Sequence, residues 1–170
     1  MVTRSRLLIM ALASLSWASW SRAEELKTIT AVARVMSFLE GLGSLTKITV
    51  KNKDGVEYAT IDDPSGFIHD CVVQTGGNTC QFALLVRCAK PGNGVLYEID
   101  FAKVTPRYET KAGTGPFDTD VIFQTRKDAL KRNGISVPLR FSTHGPVEMP
   151  ALLDWLKFVQ RECPPLETSY

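Results

Sequence analysis

Two stretches of this chain carry apolar residues at three- and four-residue steps, and much of the sequence between them alternates at every second position. Over residues 26–40, Ile29, Val32, Ala33, Met36 and Leu39 form one stripe, which predicts a helix stopped by Gly41 and Gly43. Towards the other end, PALLDWLKFVQREC sets Leu152, Trp155, Leu156, Val159 and Cys163 on one helical face. Pro150 suits the start of that helix, and Pro164-Pro165 end it. In KITVKNKDGVEYATID, Asp54-Gly55 is a two-residue hairpin signal. A turn there pairs Lys53 with Val56, Val50 with Ala59 and Ile48 with Ile61. The opposite, mostly polar face then pairs Thr49 with Thr60 and Lys51 with Tyr58.

Further turns are expected at Asp63-Pro64-Ser65-Gly66 and Pro91-Gly92-Asn93-Gly94. Strands are expected over 67–73, 80–88, VLYEIDFAKV and 119–125, with ISVPLRFST an edge strand because of Pro138. Residues 105–118 show no period and predict a long loop, and RKDALKRNG predicts a short helix closed by Gly134. The sum is an α+β fold. It is a curved antiparallel sheet of about six to seven strands with an N-terminal and a C-terminal helix packed on it.

The first residues change how the charge is read. Residues 1–23 have the order of a signal peptide: Arg4 and Arg6, then LLIMALASLSWASW, then Ser21-Arg22-Ala23 as a cleavage site. The apolar run is shorter than the ~20 residues a spanning helix needs, so no membrane span is expected in the mature chain. Residues 24–170 are then one exported globular domain by length. Arg4, Arg6 and Arg22 leave without an acid, so 20 basic and 18 acidic residues become 17 and 18, and a net charge of +2 becomes −1. That removes the support for nucleic-acid binding. None of Asn52, Asn78, Asn93 and Asn133 begins an N-x-[ST] sequon, which favours a periplasmic over a glycosylating secretory destination.

Export gives the four cysteines a use as two disulfides. QFALLVR between Cys80 and Cys88 reads as strand, and eight residues of strand span ~26 Å, beyond disulfide reach. Two connectivities remain. Cys71–Cys80 with Cys88–Cys163 is favoured, because it closes one short loop and one long one, provided that Gln74 to Gly77 form the loop opposing Cys71 and Cys80. Cys71–Cys88 with Cys80–Cys163 stays open.

FIHDCVVQTGGNTCQF holds one of the two histidines beside an aspartate and two cysteines. Strand parity puts Asp70 on the face opposite His69, so the two cannot form a dyad, and a bridged cysteine is no nucleophile. There is no CxxC, no HExxH and no GxSxG, and KAGTGP lacks the GK[ST] ending of a phosphate loop. The expectation is therefore no metal and no cofactor, and the sequence leans away from an enzyme. The function expected is binding of another macromolecule, an unidentified protein or envelope component, or service to an envelope or secretion system. Arg107, Tyr108, Lys111 and Phe117 are the candidate contact residues. The alternatives are a small hydrolase using His69 and His144 as acid and base, and a carrier with an apolar pocket between sheet and closing helix.

Overall fold

A computed structural model describes residues 28–39, 41–75, 79–89 and 94–166. The expected signal peptide lies outside the described residues, as do the glycine-rich tips at 76–78 and 90–93. Helix α1 covers residues 28–37. It ends in a Schellman motif: Gly41 N–H donates to the Phe38 carbonyl at 3.3 Å, and Leu42 N–H to the Ser37 carbonyl at 3.0 Å. Gly41, at φ 67°, supplies the left-handed residue this motif needs.

Five strands follow: β1 Lys47–Lys53, β2 Val56–Asp62, β3 His69–Gln74, β4 Gln81–Leu85 and β5 Leu96–Asp100. A 3₁₀ turn, Phe101–Lys103, leads to β6 Val104–Ala112 and β7 Asp118–Thr125. Then come β8 Leu130–Arg132, β9 Ile135–Ser136, β10 Arg140–His144 and helix α2 Glu148–Glu162. The strands form an open seven-stranded sheet, β1-β2-β3-β4-β5-β8-β9, and a three-stranded sheet, β10-β7-β6, all antiparallel. The helices pack on the large sheet, so the α+β architecture read from the pattern holds. The β1–β2 register is the one that Asp54-Gly55 dictates, with Ile48 opposite Ile61 and Val50 opposite Ala59.

One core runs through both sheets and both helices. Ile29, Val32 and Met36 of α1, Phe82, Leu84 and Ile99 of the large sheet, Val121 and Phe141 of the small one, and Leu152, Leu156 and Val159 of α2 belong to it. Trp155 departs from the expected helical face and is exposed, while Leu152, Leu156, Val159 and Cys163 are buried.

Four expectations are corrected. RKDALKRNG is not a helix: β8 and β9 form a hairpin about Asn133-Gly134, both at positive φ, and that turn chemistry outweighs the helix propensity of the residues before it. Residues 105–118 are not a long loop: residues 104–112 are β6, and only 113–117 form the turn to β7. The expected long strand VLYEIDFAKV is broken by the 3₁₀ turn, where Asp100 accepts from Ala102 N–H at 3.2 Å and the chain passes from one sheet to the other.

The disulfides are Cys71–Cys88 and Cys80–Cys163, not Cys71–Cys80 and Cys88–Cys163. The β3–β4 register sets Cys71 opposite Leu85 and Val72 opposite Leu84, so Cys80 falls on the other face of the sheet from Cys71. Strand β4 ends at Leu85, and Arg87 at φ 55° breaks the alternation that had put Cys88 on the face of Cys80.

Candidate functional site

His144 ends β10 opposite Asp118, the first residue of β7. Its Nδ1–H donates to Asp118 Oδ1 at 2.7 Å, and Nε2 meets the Gly41 carbonyl at 3.0 Å. An acceptor at each ring nitrogen favours the protonated form of the ring. The bond to Asp118 and then the Gly41 carbonyl raise its pKa above the ordinary value, against the smaller effect of burial. Asp118 is lowered in turn, by His144 first and also by Gly115 N–H, which donates to Oδ2 at 2.8 Å.

Behind them, Glu148 opens α2 and accepts from Ser44 N–H at 2.8 Å, Ser44 Oγ at 3.0 Å and His144 N–H at 2.7 Å. Burial pushes its carboxyl up, but these bonds outweigh it and leave the pKa below the usual range. A polar cleft of about 410 Å³ here is lined by Gly41, Thr114, Asp118, Asp120, Ser142 and His144. Ser142 Oγ donates to Asp120 at 2.9 Å, and Arg140 pairs with the same carboxylate at 2.5 Å. With both ring nitrogens of His144 engaged, none is left to take a proton from Ser142.

His69 begins β3, opposite Asp62 at the end of β2, and its Nδ1 bonds to that carboxylate. Asp70 points the other way, is buried, and accepts from Arg87 N–H at 2.7 Å. A nitrogen of His69 and the sulfurs of Cys71 and Cys88 lie within 4.8 Å of one another. His69 and His144 stand in different sheets, each with its own aspartate and without a shared partner among the described residues. The sequence pointed to both histidines but missed Asp62 and Asp118, which are cross-strand neighbours and legible only once strand register is known.

The candidate contact residues separate into two groups. Arg107, Tyr108 and Lys111 are exposed on β6, an edge of the small sheet; Tyr108 stacks on Phe123 at 5.4 Å and Lys111 pairs with Glu109 at 3.0 Å. Phe117 lies in the turn, 78 % exposed. It lines an apolar groove of about 540 Å³ with Pro146, Met149, Pro150 and Leu153. Gly113 N–H donates to the Asp118 carbonyl at 2.9 Å, continuing the ladder of β6 and β7.

Comparison with family models, curated proteins and solved structures returns no match. The fold and the local chemistry are thus what a functional reading of this chain rests on. Among the described residues no helix is long and apolar enough to cross a membrane.

Proposed function

We propose that this protein is an exported, disulfide-bonded domain that binds another protein by accepting an extended segment along β6. The observation that carries this is the open backbone of that strand. Gly113 bonds to Asp118, so on the β6–β7 register Lys111 and Glu109 also turn their N–H and C=O groups towards β7. Tyr108, Thr110 and Ala112 therefore turn theirs outward, where they pair with nothing among the described residues. Such a row is a template for strand addition.

The other edges are less open. Ser142 of β10 donates to the Phe38 carbonyl at 3.1 Å, β9 has two residues, and β1 carries Lys47, Lys51 and Lys53. On β6, Pro106 limits addition to its second half, where the charges of Lys111 and Glu109 compensate each other. Tyr108 offers an aromatic anchor beside the open edge, and Phe117 offers another just past its end.

The test is capture of partners from the native envelope by wild-type protein, Thr110→Pro, and the Tyr108→Ala/Phe117→Ala double variant. Thr110→Pro removes an outward N–H that bonds to no neighbour in the described fold. The expected result is a protein partner held by wild type and lost by both variants. The reading fails if both variants recover the same proteins as wild type.

A further inference from the structure

The two disulfides differ in their surroundings. Cys80 and Cys163 are buried, whereas Cys71 and Cys88 are only partly so and have His69 beside them. Neither Cys71 nor Cys88 depends on the bridge alone for its place. Cys71 sits inside β3, paired on both sides by β2 and β4. Cys88 N–H donates to the His69 carbonyl at 3.0 Å, and its neighbour Arg87 is bound to Asp70. Opening this bridge leaves two thiols, on Cα atoms 5.8 Å apart, gathered with an imidazole at one place.

We propose that the Cys71–Cys88 bridge is redox-gated, and that its reduced form binds a zinc-class cation through Cys71, Cys88 and His69. Two thiolates and an imidazole are a ligand set that Zn²⁺ accepts tetrahedrally, with a fourth position left for water. Zn–S bonds of about 2.3 Å and Zn–N bonds of about 2.0 Å set tetrahedral ligand atoms roughly 3.5–3.8 Å apart. The present cluster, all within 4.8 Å, needs its two sulfurs to part by side-chain rotation once the bridge is open. Asp62 holds the ring through Nδ1, as carboxylates do for metal-binding histidines.

The step balances with a dithiol as reductant. The dithiol gives two electrons and two protons and leaves as a disulfide, while Cys71 and Cys88 become thiols. The cation then displaces both thiol protons to solvent. Thiolate ligands select Zn²⁺ or Cu⁺ over Mg²⁺ and Ca²⁺. The site is independent of the β6 edge, so either proposal can fail without the other.

The experiment treats the purified oxidised protein with graded dithiol. Alkylation and mass spectrometry count the opened bridges, and the two-thiol form is titrated with Co²⁺ and then Zn²⁺. The expected result is that Cys71–Cys88 opens first in folded protein and one equivalent of metal binds, while the oxidised form binds none. Asp62→Asn should weaken binding about 10–100-fold, and His69→Ala more. A Cys71→Ser/Cys88→Ser variant shown folded by circular dichroism should bind none. The proposal is overturned if the bridge opens only on unfolding, if the folded dithiol form takes up no metal, or if His69→Ala binds as tightly as wild type.

Discussion

Glu148 is the residue on which three segments converge. It joins the turn after α1, the end of β10 and the start of α2 through bonds from Ser44 and His144. Glu148→Ala should cost about 2 kcal/mol in urea unfolding, because hydrogen bonds to a charged acceptor are lost. Gly43, at φ +66°, stands against the same carboxylate, where an added Cβ would clash with Glu148 Oε1. Gly43→Ala should cost about 1–3 kcal/mol, and less in the Glu148→Ala background, where the steric part is gone.

His144 makes a pH prediction with a definite sign. Its folded pKa is raised from 6.5, so its contribution is complete below that value and is lost as pH rises through the folded pKa. The lowered Asp118 contributes above its ordinary 3.8, and that part is lost as pH falls through its folded pKa. The pair is thus strongest between the two. Stability of wild type minus Asp118→Asn should fall as pH rises from 6.5 upward. A flat difference would show that the ring is not held charged.

At the scale of elements, short turns set the register of strands. Asp54-Gly55 and Asn133-Gly134 both adopt positive φ at their two central residues. Gly134→Ala should destabilise by about 1–2 kcal/mol through the left-handed penalty, measured by thermal or urea unfolding. Asp54-Gly55 sits between runs of alternating polarity, so its hairpin was legible to the residue. Asn133-Gly134 follows DALKR, which is rich in helix formers, so Gly134 there fits a helix stop as well as a hairpin turn. The β3–β4 connection carries Gly76-Gly77, which as a two-residue turn would set Cys71 opposite Phe82, but the register sets Cys71 opposite Leu85 and Val72 opposite Leu84.

Across the whole molecule, the disulfides divide the work. Cys80–Cys163 spans 83 residues and ties the end of α2 to the start of β4. Cys71–Cys88 spans 17 and closes a local excursion. On loop entropy, replacing the first pair by alanine should cost roughly 4–5 kcal/mol and the second roughly 3 kcal/mol. A non-reduced peptide map should recover these two bridges, and a Cys71–Cys80 peptide would contradict the register described above.

The sequence by itself determined the class of fold, the two helices, the β1–β2 pairing and the separation of Asp70 from His69. Each follows from local periodicity or turn chemistry, which act over a few residues. Only the tertiary structure decided the rest. It paired Cys71 with Cys88, gave each histidine its aspartate, made Trp155 an exposed residue, and turned an expected loop into the edge strand that carries Tyr108. Those outcomes depend on register between strands and on which face meets the core. Both are settled by contacts among residues far apart in the chain, so no local pattern records them.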